Sequence, residues 1–155
     1  MLSLCNHWEF IENWFDAFTA GEGQGEAVRL PHTTKELPLH YADHRAYQMV
    51  CGYRRKLELG EDLAGKRIFV QFDGAGHIAT VVVNGQELTT HRCGYTAFRV
   101  DITDALRAGD NRFVAVVWYY GIDSQTYIIG DAGLIYEVTD EDGTVLACSG
   151  THTLS

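Results

Sequence analysis

Residues 72–95 read FDGAGHIATVVVNGQELTTHRCGY, and the reading of this stretch decides the fold. HIATVVV (77–83) is β-branched and nearly continuous, the pattern of a strand covered on both faces. Asn84-Gly85 then supplies two residues that tolerate positive φ, as a type I′ turn requires, and QELTTH runs back as the partner strand. The stretch also carries Asp73, His77, His91 and Cys93, the residue types of a metal or catalytic centre. A metal needs three or four converging ligands. Asp73 and His77 are separated by a glycine-rich turn, and His91, which can share a face with Cys93, ends a hairpin where solvation is the ordinary state. No metal site is expected, and the stretch reads as scaffold.

Working outward, KRIFVQFD (66–73) alternates Ile68, Val70 and Phe72 against Phe69 and Gln71, a strand with one buried face. YTAFRVDIT (95–103) repeats the pattern, and Thr103 or Asp104 is placed to cap the short turn DALRAG, which Gly109 ends. RFVAVVWYY (112–120) is apolar on both faces and reads as a central strand. GLIYEVTD and GTVLACS are joined by the acidic turn Glu141-Asp142-Gly143. AYQMVCGYRRKLEL, within residues 44–59, reads as extended, with Gly52 as a bulge. The basic triplet Arg54-Arg55-Lys56 is expected on a solvated or interdomain face.

Upstream, Trp8, Phe10, Trp14, Phe15 and Phe18 lie among polar residues before the flexible GEGQGE. VRLPHTTKELPLHYADH holds both prolines and is expected to be irregular. Residues 1–27 are read as a segment packed on the sandwich. Short strands separated by turn signals make the chain all-β, an antiparallel two-sheet β-sandwich in one domain over residues 1–155. A jelly roll is one such arrangement.

Composition narrows function by exclusion. The 155 residues carry a net charge of −9, which repels phosphate backbones, so nucleic acid is a poor partner. No run approaches ~20 apolar residues, so no membrane-spanning helix is expected. MLSLCNHWEF lacks the basic start and apolar core of a secretory leader. A cytoplasmic, bacterial-type location is expected, with periplasmic or secreted export left open. Cys5, Cys51, Cys93 and Cys148 form no CxxC and read as free buried thiols, or as disulfides after export. There is no GxSxG elbow and no phosphate-binding glycine loop. The acidic pairs Asp101/Asp104, Glu61/Asp62 and Asp140/Glu141/Asp142 all fall at turns or caps. No catalytic residue and no cofactor are assigned.

Taken in order, several segments resemble the N-terminal sugar-binding domain of family 2 glycoside hydrolases, the β-galactosidase, β-glucuronidase and β-mannosidase group. VRLPHTT (28–34) is similar to its Leu-Pro-His entry, and GYRRKLEL (52–59) to its Gly-x-Tyr/Trp-Tyr-Arg-Arg strand. Residues 65–103 carry its Phe-Asp/Glu-Gly turn, the strand ending in Asn-Gly, then Gly-Tyr-x-x-Phe and Asp-Ile/Leu-Thr. AGDNRFVAVVW and GLIYEV are similar to its later strand and its exit motif. The resemblance implies a galactose-binding-like jelly roll. It also implies a carbohydrate partner, and an immunoglobulin-like domain and a TIM barrel elsewhere in the parent enzyme. That barrel carries two Glu that hydrolyse the glycosidic bond with retention. A barrel takes ~250 residues, so this chain is expected to be an inactive fragment of a larger glycosidase. Homo-oligomers are left open, and the alternative is a stand-alone carbohydrate-binding module or lectin-like domain.

In β-galactosidase-like and β-glucuronidase-like members, an Asp six residues before the exit Gly contacts substrate. Here Tyr127 holds that place, with Asp123 and Asp131 on the same loop. The Arg that commonly follows the exit Tyr is replaced by Glu137. The loop 121–133, bounded by glycines and rich in polar and aromatic groups, is the expected rim of a sugar cleft. Its candidate substrate-binding residues, with the tyrosines just before it, are Tyr119, Tyr120, Asp123, Gln125, Tyr127 and Asp131. Tyr41, Asp43 and His44 form a second, weaker set. An exposed apolar patch for the other domains is expected at the N-terminal aromatics and at Ile128-Ile129.

Overall fold

The computed structural model describes residues 6–34, 48–60, 65–94, 96–119 and 134–148. Among the described residues the elements are β1 (Trp8–Ile11), the short α-helix α1 (Asp16–Ala20), β2 (Glu26–Val28), β3 (Met49–Leu59), β4 (Ile68–Ala75), β5 (Ile78–Val83), β6 (Gln86–His91), β7 (Phe98–Asp101), a single 3-10 turn (Thr103–Ala105), β8 (Gly109–Tyr119), β9 (Leu134–Asp140) and β10 (Val145–Cys148). A six-stranded sheet has the order β2-β1-β3-β8-β5-β6, and a four-stranded sheet the order β10-β9-β4-β7. Every pairing is antiparallel. The molecule is thus the antiparallel two-sheet sandwich that the alternating pattern implies, in the jelly-roll class that the family resemblance implies.

Between the sheets, the alternate residues Cys51, Tyr53, Ala79, Val81, Ala115 and Val117 of one sheet meet Ile68, Val70, Phe72, Val100 and Val138 of the other. Phe72 lies at the centre, stacked on Phe98 at 4.6 Å and near Phe113 at 6.1 Å. Fully burying such a side chain contributes roughly 1.5–3 kcal/mol relative to leaving it exposed. As its two-sided apolar pattern implies, β8 is central, flanked by β3 along its whole length and by β5.

The hairpin turn is built as its sequence requires, with Asn84 at φ 52° and Gly85 at φ 85°. Asn84 does more than turn the chain. Its Nδ2 donates to the Ala105 carbonyl at 2.7 Å and to Asn111 Oδ1 at 2.8 Å, and its Oδ1 accepts from the Arg112 amide at 2.9 Å. Asn111, 1% exposed, in turn bonds the backbone of Arg107 and Gly109. Two adjacent turns are locked together by amide side chains.

Four details differ from the sequence expectation. Residues 8–11 and 26–28 do not merely pack on the sandwich but join the six-stranded sheet as strands, Trp8 and Phe10 contributing to its core. Gly52 is not a bulge, because β3 pairs with β8 in unbroken register from Met49 to Leu59. A Cβ on Gly52 would lie 3.0 Å from Trp14 and 3.2 Å from Phe18, so the glycine admits the helical segment onto the sheet's outer face. Arg54 is buried rather than solvated. It pairs with Glu9, donates to the carbonyls of Phe18, Glu22 and Gly23, and stacks over the Phe18 ring at 4.1 Å. The turn at Thr103–Ala105 is not capped by Thr103 or Asp104. Asp101 instead accepts from the Thr103 amide and hydroxyl, and that hydroxyl accepts from the Ile68 amide of β4.

Candidate functional site

The strand ends that frame the expected rim come together at one end of the sandwich. Met49, where β3 begins, is register partner of Tyr119, where β8 ends. Leu134, where β9 begins, pairs with Ala75 at the end of β4. The segments 35–47 and 120–133 therefore leave from neighbouring strand ends. His44, Tyr120, Asp123, Gln125, Tyr127 and Asp131 lie in those segments, outside the described residues, as do Tyr41, Asp43 and the Ile128-Ile129 pair.

The described part of this end is the turn Gly76-His77 and the crossing from β6 to β7. A Cβ on Gly76 would come within 2.4 Å of Val117 Cγ1, and one on Gly94 within 2.8 Å of the Gly76 carbonyl. Both positions are glycine because two backbones and a core side chain meet there. His91 stacks on Phe98 at 4.2 Å and bonds Thr96 Oγ1 through Nε2 at 2.9 Å. It therefore extends the Phe98–Phe72 stack as a structural ring. Among the described residues no three His, Cys, Asp or Glu side chains cluster as metal ligands. In the described part of the opening stretch, Asp73 lies in β4 and His77 in the turn that leads to β5, and His91 closes β6 against Phe98.

Titratable groups elsewhere serve the fold. Burial pushes the Cys51 thiol up to about 12, and its sulfur donates weakly to the Val117 carbonyl at 3.4 Å. Burial also raises the Tyr53 phenol well above its ordinary value. His32 Nδ1 lies 3.0 Å from that phenol oxygen, and burial lowers the His32 pKa, partly opposed by Glu26. Hydrogen bonds from Thr103, with the Arg67 guanidinium, bring Asp101 down to about 2. Cys51 is buried and Cys93 half-buried, and neither is in a disulfide with another described residue.

The second feature is one that sequence reading missed. On the outer face of the six-stranded sheet, β3, β5 and β8 present Val50, Ile78, Thr80, Val82 and Val116 as the floor of a groove of about 670 Å³. Trp14, just before α1, forms one wall, its indole Nε1 donating to Thr19 Oγ1 at 3.0 Å. Trp118 stands at one end, 52% exposed, and Glu87 stands toward the other. The signal was present in β8, where an aromatic follows apolar residues on both faces. Its two-sided pattern pointed only to burial. Of the N-terminal aromatics expected to form an exposed patch, Trp8, Phe10 and Phe18 are buried and Phe15 is 45% exposed.

Residues 25–148 match the family described as "Glycosyl hydrolases family 2, sugar binding domain". A β-galactosidase of Thermoanaerobacter pseudethanolicus is 37% identical over 106 residues, 66% of this chain and 14% of that protein. A β-glucuronidase of Bacteroides fragilis is 32% identical over 105 residues, 67% of this chain and 15% of that protein. Among solved structures, a glycosyl hydrolase family 2 member from Bacteroides cellulosilyticus superposes with a TM-score of 0.69 at 27% identity. That match covers 89% of this chain and 20% of the other. The chain spans about one seventh of the length of these curated relatives.

Proposed function

The chain belongs to the sugar-binding domain family of family 2 glycosyl hydrolases, and from that membership we propose that it is the non-catalytic N-terminal domain of a retaining, β-galactosidase-like glycosidase. The observation that carries this reading is the pair of proportions. The family match fills most of this chain, while the chain fills only 14–15% of its curated relatives. Retaining hydrolysis needs two carboxyl groups about 5–5.5 Å apart across the scissile bond, and the proposal leaves both to a barrel elsewhere in the parent. The sandwich contributes shape. Its rigid strand ends hold the segments with Asp123, Gln125, Tyr127 and Asp131 over the parent's pocket, and its surfaces pack on the immunoglobulin-like and barrel domains. A cytoplasmic location and association of parent subunits belong to the same reading.

The experiment is to express the parent reading frame and assay aryl β-galactosides and β-glucuronides beside the 155-residue chain alone. Turnover by the parent and none by the chain is expected. In the parent, Asp123→Asn and Asp131→Asn are expected to raise KM for one of these substrates. A parent with no glycosidase activity, or one without further domains, would replace this reading with a stand-alone carbohydrate-binding module.

A further inference from the structure

We propose that the groove on the outer face of the six-stranded sheet is a second carbohydrate site, built from residues other than the expected rim set, that takes a neutral oligosaccharide with a sugar ring stacked on Trp118. This goes beyond the pocket-shaping role above and does not depend on it.

Three observations carry the inference. The first is the exposed aromatic. Trp118 lies next to last in β8, in which Phe113 is buried, yet half of its own surface meets solvent. An indole offers a wide apolar face with a negative π-surface, to which the C–H face of a pyranose is complementary. The second is the chemistry of the walls. Asp16 and Glu87 contribute carboxylates, Thr19 and Thr80 hydroxyls, and among the described lining residues there is no Lys, Arg or His. Thr80 and Thr90 share a hydrogen bond at 2.9 Å, and Thr90 donates to Glu87 Oε1 at 3.2 Å, so the polar side is ordered before any ligand arrives. Such a surface accepts hydrogen bonds from sugar hydroxyls and repels uronates, phosphates and acidic proteins.

The third is shape. The Ile78–Trp118 and Val82–Val114 rungs are four residues apart along β5, about 13 Å at the usual rise of a strand, which accommodates more than one sugar ring. Trp14 is held by Thr19 on one side and by the close approach to Gly52 on the other. The wall is therefore pre-formed, which lowers the entropy cost of binding.

The test titrates the 15N-labelled 155-residue chain with lactose, cellobiose and glucuronic acid, following amide and indole signals, and repeats it on Trp118→Ala, Trp118→Phe and Glu87→Gln. Lactose or cellobiose is expected to shift the indoles of Trp118 and Trp14 and the amides of Thr80 and Val116. Trp118→Ala is expected to weaken binding at least about tenfold, Trp118→Phe much less, and Glu87→Gln a few-fold. Because Trp118 is exposed, its replacement leaves the core intact, and the unchanged spectrum of Trp8 checks this. Any of four results would overturn the proposal: no shift with either disaccharide at tens of millimolar, shifts confined to residues 120–133, equal binding of glucuronic acid, or self-association that buries Trp118 without sugar. The second result would still leave the domain's role in the parent standing, and loss of parent activity would leave the groove untouched. The two readings fail separately.

Discussion

Single residues hold this fold at its turns. Asn84 satisfies two acceptors and one donor while sitting at positive φ. Asn84→Gly keeps the backbone freedom and removes the hydrogen bonds, and Asn84→Ala removes both. We expect losses of about 1–3 kcal/mol for Gly and more for Ala in urea unfolding. Asp101 makes an acid-sensitive contact. Its folded pKa, about 2, lies below the ordinary 3.8, so its contribution is complete above pH ~4 and is lost as pH falls toward ~2. Asp101→Asn should flatten that part of the stability curve, read as melting temperature against pH. Cys51, raised to about 12 by burial, should resist iodoacetamide at pH 8 until the chain unfolds, as peptide mass spectrometry would show. The turn at Asn84-Gly85 was legible in the sequence because its constraint is local, two adjacent residues with a backbone preference. The buried role of Arg54 was not. Its partners are carbonyls of residues 18, 22 and 23, set beside it only by the folded sheet.

At the scale of elements, α1 has five residues, too few for a helix that stands alone, and is held by its neighbours. Arg112 donates to the Ala20 carbonyl, Arg54 to those of Phe18, Glu22 and Gly23, and Gly52 leaves room for Trp14 and Phe18. Gly52→Val should drive the segment off the sheet, and Arg54→Met should leave those carbonyls without their donor, costing on the order of 2–4 kcal/mol. Hydrogen exchange of residues 14–24 would report both, rising there first while β4 and β8 stay protected. The reading of Gly52 as a bulge failed for a physical reason: a glycine within a strand has two causes, extra length or close approach. Only the distant Trp14 and Phe18 decide between them. The strands themselves were legible because alternation is a local record of a two-sided environment. β1 and β2 were not, since four and three residues hold too little pattern.

For the molecule as a whole, the two-sheet sandwich followed from the hydrophobic period and the order of its turns. The outer groove did not, since it gathers residues from β3, β5, β8 and the N-terminal segment onto one face. The expected rim residues lie beyond the described strand ends, and only the placement of those ends bears on them. The central strand has a further consequence, in time rather than in space. β3 finds its partner β8 only through rungs that join Leu59 to Gly109 and Met49 to Tyr119, between 50 and 70 residues later in the chain. Closing so long a loop costs entropy before any contact is gained. On the ribosome, then, the first three strands wait as an unfinished sheet with an open edge until β8 has emerged. β8 is the strand that completes it, and a nascent chain stalled before Gly109 should be held by chaperones or aggregate, whereas one released after Cys148 should fold.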